Sequence, residues 1–154
     1  MKVEEIDEVR PAKALMTQEH PTRPKPQTGG RILIVDDDRF FTKVLTIILT
    51  GENFEVGAAT SLEEARDALG NKPFDVIISD LRMPDGNDGL ELLAELREQG
   101  NSVPFIMLTG YGEVDNYLVA MNAGASEYLN KPVRAEDLLK IIRNCLRAPN
   151  NQSR

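Results

Sequence analysis

From residue 31 onward the chain alternates short apolar runs with segments whose apolar residues recur every three to four positions, the pattern of parallel strands joined by crossover helices. Five such units follow one another. The predicted strands cover 32–35, 55–59, 75–79, 103–109 and 126–130. Phe41, Val44, Leu45 and Ile48 fall at helical spacing, as do Val114, Tyr117, Leu118 and Met121, and again Leu138, Ile141, Ile142 and Cys145. Each set predicts a helix with one face on the sheet and one in water. The second helix opens at Ser61-Leu62-Glu63-Glu64, a capping-box pattern, and the third follows Gly89 with Leu92, Leu93 and Leu96 as its apolar stripe. Residues 32–35, 76–78 and 105–108 are apolar without interruption, as interior parallel strands buried on both faces should be. The more polar 55–59 and 126–130 are expected at the sheet edges.

Residues 1–30 break the pattern, with Pro11, Pro21, Pro24 and Pro26, two adjacent glycines and no apolar run. They read as a Pro-containing leader, and the loss of helical pattern at Arg147 marks 148–154 as a tail, leaving a domain over 31–147. The acidic Glu4-Glu5-Ile6-Asp7-Glu8 stands where a secretory signal would need apolar residues. No stretch approaches the roughly 18 apolar residues of a membrane span.

The length of 154 residues suits one domain plus a remainder, and 41% apolar with 28% charged residues is ordinary for a chain that buries a core. The net charge of -7 opposes nonspecific attraction to nucleic acid or anionic lipid, so neither is an expected partner. The leader carries five basic and five acidic residues, so the whole imbalance lies in 31–154, where 13 basic face 20 acidic. The single Cys145 makes no intrachain disulfide and no zinc site, in keeping with a reducing cytoplasm.

In open α/β sheets ligands collect beyond the carboxyl ends of the strands. There the first predicted strand ends in Asp36-Asp37-Asp38, the third in Asp80, the fourth in Thr109-Gly110 and the fifth in Lys131-Pro132. With strand order 2-1-3-4-5 the first and third strands are neighbours and their aspartates converge. Converging carboxylates repel unless a cation lies between them, and carboxylate plus water is the ligation that Mg²⁺ prefers. A solvated turn or helix N-cap is the plain alternative for three acids alone. The set allows Asp80 to act as a carboxylate nucleophile, with Mg²⁺ and the Lys131 ammonium to balance charge on a phosphoryl group and the Thr109 hydroxyl with backbone N–H groups to bond its oxygens. No residue resembles an activated base for water, and His20, the only histidine, lies in the leader. Such a site takes up a phosphoryl group and releases it slowly, which suits a switch.

These residues resemble the receiver domain of two-component response regulators over about 31–147. The resemblance rests on Ile32-Leu33-Ile34-Val35-Asp36-Asp37-Asp38, Asp80-Leu81-Arg82-Met83-Pro84, Leu108-Thr109-Gly110 and Tyr128-Leu129-Asn130-Lys131-Pro132, in that order. It implies a flavodoxin-like doubly wound (βα)5 fold and makes Asp80 the phosphoacceptor, supplied by a sensor histidine kinase or phosphotransfer protein. It implies that Mg²⁺ is ligated by Asp37, Asp80 and the backbone carbonyl of Arg82, with Asp36 acting mainly through water. Thr109, Gly110 and Lys131 would bind the phosphoryl group, Tyr128 would turn inward on activation, and Arg82 and Tyr111 would modulate turnover. The Lys131-Pro132 bond is expected to be cis. The output surface would be the fourth helix, fifth strand and fifth helix, about 113–147, offered to a downstream protein by a monomer or a phosphorylation-dependent dimer. One departure is Met83-Pro84-Asp85-Gly86-Asn87-Asp88-Gly89, a residue longer than the common Met-Pro-x-Met-Asp-Gly, which predicts a bulge before the third helix.

Other readings differ in what they ask of the aspartates. A haloacid-dehalogenase-like phosphatase would make Asp36 the nucleophile and leave Asp80 without a role. A flavodoxin-like cofactor module would need a phosphate loop rich in Gly, Ser and Thr where three aspartates stand. An N-terminal piece of a longer DNA-binding regulator would share the receiver chemistry.

Overall fold

The computed structural model describes residues 29–83, 86, 88–110 and 114–147. Most of the leader, the segment 148–154 and Tyr111 lie outside the described residues. Five strands, β1 (Arg31–Val35), β2 (Glu55–Ala59), β3 (Val76–Ser79), β4 (Phe105–Thr109) and β5 (Glu127–Asn130), alternate with five helices. The helices are α1 (Arg39–Gly51), α2 (Leu62–Asn71), α3 (Asp88–Glu98), α4 (Val114–Asn122) and α5 (Ala135–Arg147). All strand pairs are parallel and the order is β2-β1-β3-β4-β5, the flavodoxin-like arrangement. The polar strands β2 and β5 are the edges.

Period-two alternation splits the core between the two faces of the sheet. Ile32, Ile34, Val76, Ile78, Ile106 and Leu108 meet Leu45 and Leu49 of α1 and Leu138 and Ile142 of α5. Leu33, Val35, Ile77, Phe105 and Met107 meet Ala65 of α2, Leu92, Leu93 and Leu96 of α3 and Ala120 of α4. The four residues Ile32 to Val35 have no exposed surface. Each contributes about 1.5–3 kcal/mol by leaving water, so the central strands are the rigid base on which their C-terminal residues are mounted.

Strand starts fall later than the apolar runs suggest, for local reasons. Asp75 precedes β3 because its carboxylate accepts the Arg31 amide at 2.8 Å, and β4 begins only after Pro104, which has no amide to donate. The helix at Ser61 is capped as its sequence predicts, with Ser61 Oγ accepting the Glu64 amide at 3.0 Å. The Glu64 carboxylate reaches one residue further back than a standard box, to the Thr60 amide at 2.7 Å and the Thr60 hydroxyl at 2.9 Å. At the β2 edge Glu55 is flanked by Arg31 at 3.2 Å and Lys72 at 3.6 Å.

Two helical faces correct the sequence expectation. In α1 the buried stripe is Thr42, Leu45 and Leu49, one position round from the predicted one, and Val44 lies toward solvent. In α4 the predicted sheet face is largely uncovered: Val114, Tyr117 and Leu118 are 74%, 45% and 52% exposed, and Ala120 is the buried residue. The helix meets the core through Ala120 and the half-buried Met121, while Val114, Tyr117 and Leu118 remain outside.

Candidate functional site

Val35 lies beside Ser79 in the β1–β3 register, so the residues that follow, Asp36 and Asp80, leave the sheet side by side. Their amides are tied down, Asp36 to the Ala59 carbonyl at 3.0 Å and Asp80 to that of Val35 at 2.9 Å. Both side chains are buried while Asp37 is exposed. One carboxylate oxygen from each of Asp36, Asp37 and Asp80 lies within 4.8 Å of the others. Asp38 takes the plain alternative, capping α1 by accepting the Phe41 amide at 3.0 Å.

Lys131 enters from the far edge of the sheet. Its amide donates to the Thr109 carbonyl at 2.8 Å, extending the β4–β5 ladder by one residue. Its Nζ donates to Asp36 Oδ2 at 2.7 Å and stands 3.5 Å from Asp80 Oδ2, with the Phe41 ring centroid 4.3 Å away. Burial pushes the Asp36 carboxyl above its ordinary value, and the bonds from Lys131 and the Asp38 amide offset this only in part. Burial also disfavours the charged Lys131, but the Asp36 and Asp80 carboxylates outweigh it and raise the ammonium pKa.

Asp36 has both oxygens engaged, Oδ2 by Lys131 and Oδ1 by the Asp38 amide at 2.9 Å. Asp80 differs. Its Oδ1 is buried and accepts no hydrogen bond. A bare buried oxygen among three converging carboxylates fits a hard divalent cation, and the exposed Asp37 opens the site to the water such an ion retains.

Thr109, Gly110, Tyr128 and Arg82 lie on or just beyond β4, β5 and β3. Thr109 is fully buried at the end of β4, and Gly110 beyond it is exposed with open space around its Cα. Tyr128 is half-buried, and its ring meets that of Tyr117 edge-on, centroids 5.7 Å apart and planes at 87°. Arg82 is half-buried, two residues beyond Asp80. The Lys131-Pro132 peptide is cis. Before α3, Met83 and Gly86 exchange backbone hydrogen bonds of 3.1 and 2.8 Å, which pinches the longer loop, with Gly86 at φ 115°. Pro84, Asp85 and Asn87 lie outside the described residues.

Three contributors were not apparent from the sequence. Phe41 lies under Lys131, Tyr117 pairs with Tyr128, and Gly89 brings the first turn of α3 onto Asp80, where a Cβ would stand 2.1 Å from the Asp80 carbonyl oxygen. Only Gly89 carried a signal, as the glycine that closes the Asp88-Gly89 pair. Surface cavities of about 180 and 310 Å³ open beside the starts of β1 and β2, away from the carboxylates.

A family model described as the response regulator receiver domain matches residues 32–143. The chain belongs to the response regulator receiver family. Asp36, Asp37, Asp80, Thr109 and Lys131 all fall in the matched span. As a receiver, the chain is a phosphoacceptor switch with an acidic site of Asp36, Asp37 and Asp80. It is 34% identical over 123 residues to the response regulator PilR of Pseudomonas aeruginosa, covering 80% of this chain and 27% of that protein. It is 34% identical over 120 residues to the transcriptional regulatory protein FixJ of Bradyrhizobium diazoefficiens, covering 78% and 58%. The receiver thus spans from about a quarter to under two thirds of these curated relatives. Among solved structures, a CheY-like receiver domain from Methanospirillum hungatei matches with TM-score 0.71 and 36% identity over 75% of this chain and 92% of its own. The beryllofluoride-activated NtrC4 receiver domain dimer matches with TM-score 0.70 and 34% identity over 75% and 95%. Among the described residues no helix is long and apolar enough to cross a membrane.

Proposed function

We propose that Asp80 accepts a phosphoryl group from the phosphohistidine of a sensor kinase or phosphotransfer protein, and that the acylphosphate biases the domain toward a partner-binding form. The observation that carries this reading is the contrast between the two buried aspartates: Asp36 has both oxygens hydrogen-bonded, whereas Asp80 presents a bare one. An oxygen lone pair of Asp80 attacks phosphorus, the P–N bond breaks, and the imidazole leaves. Asp37, Asp80 and the Arg82 carbonyl would hold Mg²⁺, with Asp36 acting through water; when bound, the ion neutralises charge on the phosphoryl oxygens.

Lys131 supplies the second positive charge. It rests on Asp36 and needs only a small swing to engage a phosphoryl oxygen on Asp80, 3.5 Å away. The Thr109 hydroxyl and the amide of Gly110 are the further donors, and Tyr128 turns inward as Thr109 moves. Among the described residues no side chain is poised to activate water, so the acylphosphate persists, with Arg82 and Tyr111 setting its lifetime. Output runs through about 113–147, where Val114, Leu118 and Val119 expose apolar surface to a downstream protein, as a monomer or a phosphorylation-dependent dimer. The NtrC4 receiver, a dimer when beryllofluoride-activated, supports the latter. The reading assigns 31–147 to the receiver, 1–30 and 148–154 to flanking segments, and the working location to the cytoplasm.

Incubation with Mg²⁺ and acetyl phosphate tests this reading. Intact mass should rise by one phosphoryl group, and Asp80→Asn should abolish the gain. Modification mapped to Asp36 would instead establish the phosphatase reading.

A further inference from the structure

We infer that Tyr117 is a positioning residue for Tyr128: its ring holds Tyr128 in the resting rotamer and sets how readily the domain switches. The inference rests on the proposed inward turn of Tyr128. Three observations support it. The rings meet edge-to-face at 5.7 Å and 87°, the geometry in which the positive edge of one ring faces the negative face of the other. Tyr128 packs with the core cluster that contains Met107, and Thr109 lies two residues further along β4, so Tyr128 and Thr109 share one face of the sheet. Tyr117 remains 45% exposed on a helix buried chiefly at Ala120, so the ring is held more by Tyr128 than by the core.

The consequence follows from linkage. A contact made in one rotamer and lost in the other stabilises the first, and a ligand that favours the second must overcome it. Removing the Tyr117 ring should therefore tighten binding of any phosphoryl mimic that acts through Tyr128. The shift should be about two- to twelve-fold, the equilibrium equivalent of about 0.5–1.5 kcal/mol for an aromatic pair. Because Tyr117 stands on the exposed apolar side of α4, a protein that covers this face touches the latch directly.

The test titrates beryllofluoride into the Mg²⁺-loaded protein, reading site occupancy by fluorine NMR and the switch by the ring resonances of labelled tyrosine. With three tyrosines in the chain the spectrum is assignable by substitution. Tyr117→Ala and Tyr117→Leu should both lower the midpoint two- to twelve-fold, and Tyr117→Phe should match wild type. A midpoint unchanged or raised in Tyr117→Ala overturns the latch, as does a wild-type midpoint in Tyr117→Leu, because apolar bulk rather than ring pairing would then suffice. Beryllofluoride bound at Asp80 with no response from Tyr128 removes the latch while leaving the phosphoacceptor reading intact. No occupancy in wild type overturns both.

Discussion

Lys131 Nζ is hydrogen-bonded to Asp36 at 2.7 Å and lies 3.5 Å from Asp80 Oδ2. The ammonium is thus stationed on Asp36, one short displacement from Asp80, the proposed phosphoacceptor. Lys131→Met should leave Asp80 able to take a phosphoryl group from acetyl phosphate, more slowly, while the Tyr128 ring resonances no longer respond. It also strands the buried Asp36 carboxylate, so urea unfolding should show a loss of about 1–3 kcal/mol at neutral pH. A Tyr128 response that survives the substitution would exclude Lys131 as the coupling residue.

Three carboxylates share a space of 4.8 Å with one ammonium. Without a cation this is a net repulsion, and the exposed Asp37 is the member that can be neutralised without opening the core. Asp37→Asn should stabilise the metal-free protein by about 1 kcal/mol in chelator. Mg²⁺ at ten times its Kd should stabilise wild type by about 1.4 kcal/mol and the variant less at the same concentration. Equal stabilisation of both by Mg²⁺ would place the ion elsewhere.

Gly89 and Gly70 test opposite effects of one methyl group. At Gly89 a Cβ would lie 2.1 Å from the Asp80 carbonyl oxygen, a backbone atom that cannot yield, whereas at Gly70 nothing lies within 4 Å. Gly89→Ala should cost about 3 kcal/mol in denaturant unfolding and slow phosphorylation by displacing Asp80. Gly70→Ala should gain about 0.4–1 kcal/mol and leave phosphorylation unchanged.

The Glu64 carboxyl is held below its ordinary value, first by the Thr60 amide and then by the Thr60 hydroxyl. A depressed carboxylate contributes stability that is complete above its unfolded pKa and is lost as pH falls through the folded value. Glu64→Gln should therefore be less stable than wild type at pH 7, and the difference should shrink as pH falls below the ordinary glutamate value of about 4.3 and through the lower folded value. A difference that stays constant as pH falls through the acid range would show that the carboxylate charge is not what caps α2.

The sheet was legible because its information is one-dimensional. Uninterrupted apolar runs mark β1, β3 and β4 as interior, polar runs mark β2 and β5 as edges, and the residue after each strand is placed by the strand itself. Asp36, Asp80, Thr109 and Lys131 could be assembled on that basis. Contacts between helices and strand ends are different. Whether Val114, Tyr117 and Leu118 face the sheet depends on how closely α4 approaches β5, and Ala120 fixes that distance with no mark in the periodicity. Phe41 under Lys131 joins residues 90 positions apart through a helix rotation that the apolar spacing misjudged by one position.

The two edge strands carry a further implication, for how copies of this protein can assemble. β2 is guarded by the Arg31–Glu55–Lys72 ion cluster, and β5 is only four residues long, with Glu127 and Asn130 exposed. Charged, short edges resist strand addition. Continuing the sheet from one molecule to the next is therefore disfavoured at both ends, and self-association is channelled to helical surfaces. An assembly made that way is held by side chains, so it can be strengthened or dissolved by moving a few of them, without breaking a main-chain ladder.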